Sequence, residues 1–299
     1  MKTDQASNTA VIVAAGLQLL HHDDVYRSLL PLDVAGQGAS LLRAVRPRLS
    51  RLLQRRWFRA ACHWLEQRVM PGILLHYALR KRALQQYARQ SIEQGVTQVV
   101  VLGAGFDTIC ARLLLEFPAL CCIEVDHPAT QRSKLQALGA EVCAYRKGDA
   151  GLHYVALDLA QQELAQALTA CPAFDAARPT LFIAEGLLMY LTEPQVASML
   201  RQLQAIAPQN RLAMTWFDSK AGFVHHSRWL DLWLSLRNEP FLSGVARERL
   251  PRFLADCGYA WLDLNESAAH LTPAEKADLP ANSRVLCGEY ICLAKSVQA

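Results

Sequence analysis

The chain predicts an α/β fold, a doubly wound sheet preceded by a helical segment. Two observations carry this. The run Val99-Val100-Val101-Leu102 passes straight into Gly103-Ala104-Gly105, and a helical pattern starts at once behind it. A buried parallel strand ending in a tight bend reads this way. From there onward, short apolar runs alternate with helical periodicities, as strands do when helices cover both faces of a sheet. At 299 residues the chain is long enough for one large domain, or a domain with an appendage.

Taken in order, residues 1–95 read as helical, with one helix near 9–20, another near 38–60 and a long one near 61–93 that Gly95 closes. This segment is expected to form a cap, and residues 96–299 the core. Seven strands are expected near 98–103, 120–125, 153–157, 179–184, 211–217, 259–264 and 286–294. Helices are expected near 107–117, 128–139, 161–170, 193–207 and 246–257. The last two strands flank a polar stretch, 265–285, and fit an antiparallel pair at one edge. Between the fifth strand and the last helix lies an insertion, 218–245, with Phe223, Trp229, Trp233 and Phe241. Its place after a strand's carboxyl end suits a cover over a site.

The glycine bend suits a nucleotide-type cofactor, because Gly103 and Gly105 let the backbone turn sharply and approach a ligand. The dinucleotide pattern G-x-G-x-x-G is incomplete, since its third position is Thr108. Asp107 stands where pyrophosphate would lie and would repel it. A cofactor with a cationic group and no phosphate fits better, and S-adenosyl-L-methionine is one. Asp126 ends the second strand 23 residues after Gly103, a spacing that suits an acid on ribose hydroxyls. Asp158 ends the third strand, where it and the backbone of Leu159 could meet an adenine edge. Each acid also has a structural reading as the cap of the helix that follows.

Gly103-Ala-Gly-Phe-Asp-Thr108, Glu124-Val-Asp-His-Pro128, Asp158-Leu159 and Ala184-Glu185-Gly-Leu-Leu-Met-Tyr190-Leu191 together resemble the leucine carboxyl methyltransferase family. That family includes protein phosphatase carboxyl methyltransferases and bacterial small-molecule O-methyltransferases. The resemblance covers roughly residues 75–220 and is weak at both ends. It implies a class I S-adenosylmethionine-dependent fold. It also implies that Arg80 holds the cofactor carboxylate, with Gly103 beneath the methionine part. Asp126 would bind the ribose, Asp158 and Leu159 the adenine, and Glu185 would line the pocket near the methionine end. Many bacterial members carry Arg after the Asp-Thr pair, where this chain has Ile109.

Composition narrows the rest. The net charge of +4 is mild. Basic residues cluster between Arg43 and Arg59 with Trp57 and Phe58 interleaved, which reads as an amphipathic helix with its arginines in water rather than a nucleic-acid or membrane contact. No apolar run approaches the ~18 residues of a membrane span, and the polar start argues against a signal peptide. The nine cysteines are scattered without a C-x-x-C spacing, so reduced core thiols, a cytoplasmic location and no metal site are expected. The oligomeric state is left open.

Methyl transfer from a sulfonium is an in-line displacement that depends mainly on alignment. A carboxylate acceptor is already ionised, whereas a hydroxyl gains from a base. His225 and His226 are candidates for that base, and both also fit a surface pair. Tyr190 is placed near the methyl, and Tyr77 and Trp216 fit pocket walls or core equally. The aromatic insertion, together with Trp57, Phe58 and Trp64, suits a flat or greasy small molecule. The expectation is O-methylation of a hydroxyl on a polyketide-like metabolite. The alternative is carboxyl methylation of a protein C-terminus or free acid. A nicotinamide oxidoreductase is disfavoured by the missing third glycine.

Overall fold

The apolar run before the glycine bend is β1 (Gln98–Leu102), buried at every position and placed at the centre of the sheet. In the computed structural model of the protein, described over residues 7–139, 146–147, 150–159, 161–218, 242, 244–281 and 283–297, β1 pairs in parallel with β2 (Cys121–Asp126) and with β5 (Thr180–Ala184). Beyond β2 lies β4 (Ala150–Ala156), and beyond β5 lies β6 (Asn210–Phe217), both parallel to their neighbours. β8 (Glu289–Ser296) runs antiparallel between β6 and the edge strand β7 (Tyr259–Glu266). The seven expected strands are present. A two-residue strand, β3 (Arg146–Lys147), is added antiparallel to β4 at the other edge.

Alternation along the strands supplies two cores. Val99 and Val101 face one side, against Ala83, Leu84, Tyr87 and Ala88 of α6 (Ile73–Glu93) and Leu113 of α7 (Ile109–Glu116). Val100 and Leu102 face the other. There the cover comes from Leu164 of α9 (Leu164–Thr169), Val196, Leu200 and Leu203 of α10 (Glu193–Ile206), and Leu254 of α11 (Leu250–Asp256). α8 (Pro128–Leu138) joins β2 to the β3–β4 edge.

The N-terminal helices are shorter than periodicity predicts. The expected helix 38–60 is three pieces: α3 (Val34–Val45), α4 (Pro47–Leu53) and the first turn of α5 (Arg56–Val69). Pro47 is the cause of the first break, since it lacks an N–H and takes the first helical position of α4. The expected helix 61–93 divides at Pro71-Gly72 between α5 and α6, where Gly72 has φ +89°. With α1 (Asn8–His21) and α2 (Asp24–Ser28) they share a third core, to which the first half of α6 contributes Leu74, Leu75, Ala78 and Leu79. α6 therefore belongs to both layers, its start in the helical cap and its end on the sheet. The polar stretch 265–285 is also partly ordered as a 3₁₀ turn (Ser267–His270) and α12 (Pro273–Asp278), closed by a Thr272/Glu275 capping box.

The tight turn at Gly72 carries a paired prediction. A Cβ there would lie 2.6 Å from the Arg284 carbonyl oxygen and 2.8 Å from the Leu286 nitrogen, both backbone. Gly95 has φ +99° but open space around it. Gly95→Ala is expected to cost about 1 kcal/mol from backbone strain alone, and Gly72→Ala about 3 kcal/mol or more, from strain plus collision. Urea unfolding of both variants measures this, and equal costs would remove the close approach at Gly72.

Candidate functional site

The in-register parallel pairing brings four strand ends to one edge. Leu102 is level with Val125 and with Ala184, and Asp126 with Ala156. The residues that follow, Gly103 to Asp107, His127, Leu157 to Leu159 and Glu185 to Gly186, therefore gather at the carboxyl side, where open α/β sheets bind ligands. Gly103 and Gly105 both take positive φ, +64° and +53°. The Gly103 and Ala104 N–H groups donate to the Val125 carbonyl at 2.8 and 3.2 Å. The Gly105 N–H donates to the Asp126 carboxylate at 2.5 Å, and the His127 N–H to its other oxygen at 2.6 Å. Burial pushes the Asp126 carboxyl up, and these two N–H groups partly offset it. Asp126 is not the cap of α8, a place His127 takes. Asp158 is likewise not the cap of α9, which starts after Glu163. Its carboxylate accepts from Gln161 at 3.0 Å and lies 3.8 Å from the His127 ring.

Beside this turn runs a chain of buried ion pairs anchored on α6. Arg80 donates from Nε to Glu185 at 2.9 Å and from Nη1 to Glu289 at 3.1 Å. Lys81 pairs with the other Glu185 oxygen at 2.9 Å and with Asp107. His76 Nε2 is 2.6 Å from Glu289, and its Nδ1 meets the Ser267 hydroxyl at 3.0 Å. On the far side of the turn, Lys134 pairs with Glu124 at 2.6 Å and also donates to the Asp107 carbonyl. Burial alone would raise the Asp107 carboxyl, but Lys81, Arg112 and Lys134 hold it well below the usual range. Burial also opposes ionisation of Glu289, yet His76 and Arg80 lower its pKa to about 2. For Glu124 burial wins over Lys134 and the carboxyl is pushed up. A cavity of about 410 Å³ opens next to Asp107, Glu124 and Lys134, under α3 and α8.

α1 covers the turn. Its Ser7 cap donates N–H to the Thr130 hydroxyl of α8 at 3.0 Å, and Tyr190 donates its hydroxyl to Thr9 at 3.2 Å. A Cβ on Gly105 would stand 3.4 Å from that of Ala10. The structure thus brings Arg80, Gly103, Gly105, Asp107, Asp126, Asp158, Leu159, Glu185 and Tyr190 to one edge of the sheet. His225 and His226 lie outside the described residues, as does most of 218–245. Trp57 and Trp64 do not wall this site but stand exposed on α5, whereas Phe58 packs inward. Tyr77 is buried with Arg80 5.1 Å above its ring, and Trp216 is sheet core against Phe253. Sequence reasoning missed Lys81, Glu289, His76, Glu124 and Lys134. Lys81 had a visible signal as a second cation beside Arg80, four residues on from Tyr77 of the same apolar face. Glu289 had none, because its partner is 209 residues away.

The topology is that of a class I methyltransferase, and known proteins share it. A crystal structure of a DUF574 family protein from Streptomyces avermitilis aligns with a TM-score of 0.62 at 16% identity, over 80% of this chain and 90% of that one. A crystal structure from Thermobifida fusca, of a protein named as a putative methyltransferase, aligns with a TM-score of 0.58 at 16% identity, over 87% and 94%. The family model described as leucine carboxyl methyltransferase matches residues 34–204. The chain belongs to that family. A relative from Mycobacterium marinum, named for S-adenosyl-L-methionine-dependent methyl transfer, is 31% identical over 214 residues, 68% of this chain and 67% of its own length. One from Mycobacterium tuberculosis, named likewise, is 38% identical over 140 residues, 46% of this chain. That match spans only 38% of the relative's length.

Glu289 supplies a pH prediction. Its carboxyl falls from an ordinary 4.5 to about 2 in the fold, so the stabilisation is complete above about pH 4.5 and is lost as pH falls toward 2. The shift corresponds to something on the order of 3 kcal/mol. Urea midpoints of the wild type should fall across this window. In Glu289→Gln stability at pH 7 should be lower by about 3–5 kcal/mol, as for a broken buried pair, and the acid slope shallower. Parallel acid slopes in the two proteins would contradict this account of the site.

Proposed function

We propose that the protein is an S-adenosyl-L-methionine-dependent O-methyltransferase acting on a small-molecule acceptor. The observation that carries this is the glycine turn bonded to the Asp126 carboxylate and flanked by the ion-paired acids Asp107 and Glu185. The Asp126 carboxylate accepts from the Gly105 and His127 N–H groups rather than from a lysine or arginine, a placement that disfavours pyrophosphate beside it and suits a cofactor that carries sulfonium and ammonium groups and no phosphate. Asp126 would hold the ribose, Asp158 and the Leu159 backbone the adenine, and Gly103 and Gly105 would allow close approach. Arg80 would take the cofactor carboxylate. Among the described residues its Nη2 has no carboxylate partner, and that nitrogen borders Gly186. When bound, the cofactor supplies an activated methyl group. The protein's part is to align the acceptor oxygen, with α1 excluding water and Tyr190 bordering the site.

For the acceptor we favour a hydroxyl on a polyketide-like or other apolar molecule. The support is the aromatic content of 218–245 and two adjacent histidines, His225 and His226, to receive the proton. The family's own description favours a second reading, carboxyl methylation of a protein C-terminus or free carboxylic acid, for which no base is needed.

Calorimetry should detect binding of S-adenosylmethionine or its demethylated product and none of NAD. Asp126→Ala should weaken it by about 1–3 kcal/mol, and Arg80→Lys should weaken it too, because the planar fork is lost while the charge is kept. Unchanged affinity in either variant removes that residue from the cofactor site. A second experiment addresses the acceptor, using mass spectrometry of products from aromatic alcohols, enols and carboxylic acids. The hydroxyl reading expects methylated alcohols or enols, with turnover in His225→Ala or His226→Ala falling more than cofactor affinity. Turnover confined to acids and indifferent to both histidines would establish the carboxyl reading instead.

A further inference from the structure

Helix α5 has no buried residue. Its inner side, Phe58 and Cys62, rests partly buried on the helical core. Its outer side is not the polar face that an amphipathic helix should turn to water. Trp57, Ala61, Trp64 and Leu65 follow at i, i+4, i+7 and i+8, one face of a helix. Trp57 is 66% exposed, Trp64 59% and Leu65 53%. Arg68 continues the row, its guanidinium 4.4 Å from the Trp64 ring. In the preceding helix, Leu52 is exposed as well.

Charge distinguishes what this face fits. Arg43, Arg46, Arg48, Arg51, Arg55, Arg56 and Arg59 fall within 17 residues that hold no acid. The whole chain carries +4, so the rest of it sums to −3. Among the described residues none of the seven arginines forms an ion pair. Arg46, Arg51 and Arg59 donate to backbone carbonyls, of Val45, of Pro47 and of Leu53 and Gln54. The expectation of arginines in water holds for all but Arg59, which is half-buried, and large apolar side chains are exposed on the same two helices.

We propose that the α4–α5 face is an interfacial docking surface for an anionic phospholipid bilayer. A helix rich in arginine that presents Trp and Leu along one stripe lies in the headgroup region, apolar face inward. Tryptophan prefers that depth because its ring is amphipathic. The arginines supply attraction to an anionic leaflet. A second copy of the chain would bring seven positive charges against seven. Trp64 and Arg68 also border a cleft with Asp23, Tyr26 and Glu66, whereas Trp57, Ala61 and Leu65 lie on the open helix face, which a surface that moulds around it fits. Among the described residues no helix is long and apolar enough to cross a membrane, and none is needed here. The inference is independent of the acceptor.

The test is flotation of the full chain with vesicles of phosphatidylcholine alone, and with about a third phosphatidylglycerol. Flotation is expected only with the anionic vesicles, with a blue shift of tryptophan emission and release at about 0.5 M salt. The double variant Trp57→Ser/Trp64→Ser should lose at least about tenfold in partitioning, with urea midpoint and circular dichroism unchanged because both residues are exposed. Arg55→Gln/Arg56→Gln should weaken flotation without moving the midpoint. Absence of flotation with either vesicle overturns the proposal. So does undiminished flotation of the tryptophan variant, which would mark nonspecific charge attraction. A dimer in sedimentation velocity that the tryptophan variant abolishes would show that the stripe serves a second copy. Retention on an acidic protein or polyglutamate in place of anionic vesicles would show that it serves an acidic protein. Either result overturns the bilayer assignment.

Discussion

The buried ion pairs of α6 are the constraint on which the site depends. Arg80 and Lys81 sit side by side, and between them they reach the end of β5 through Glu185, the start of β8 through Glu289, and the glycine turn through Asp107. Every group in this set is nearly sealed from water. Taking such charges out of water is costly, and removal of one partner strands another charge at several kcal/mol. The arrangement therefore tolerates no partial version. It holds the β1 turn, the β5 end and the cap helix in one register, because displacement of any of them leaves an acid or base unpaired.

The same chain of pairs explains why α6 joins the layers. Its first half packs on the helical cap, its second half on the sheet, and the charged residues fall between. The breaks at Pro47 and Pro71-Gly72 let the helices before it fold back over the carboxyl edge. There α1 reaches Gly105, Thr130 and Tyr190. A cap attached through a helix that also braces the sheet can hold its closing contacts without a rigid hinge of its own.

Much of this was legible in the sequence. Strands buried on both faces leave uninterrupted apolar runs, so β1 and β5 stood out, and the acids at their neighbours' ends could be counted from the glycine bend. Periodicity was misleading in the cap. It continues across Pro47 and Pro71-Gly72, while the missing N–H and the positive φ decide the helix ends. Nor does periodicity say which side of a helix faces a neighbour, so the pattern points Trp57 and Trp64 at a pocket although it is Phe58 and Cys62 that pack inward. The partners of Arg80 and Lys81 were the least legible. Glu289 opens a strand near the end of the chain, and nothing local marks it as an ion-pair partner for residue 80.

The most direct measurement of the central claim is a double-mutant cycle between Lys81 and Asp107, with Lys81→Met, Asp107→Asn and the pair compared by urea unfolding at pH 7. If the buried network holds the turn, the pair should be less destabilised than the sum of the singles, with a coupling of about 0.5–3 kcal/mol. Costs that add to within about 0.5 kcal/mol would contradict it, and would leave α6 and the glycine turn as neighbours without a shared constraint.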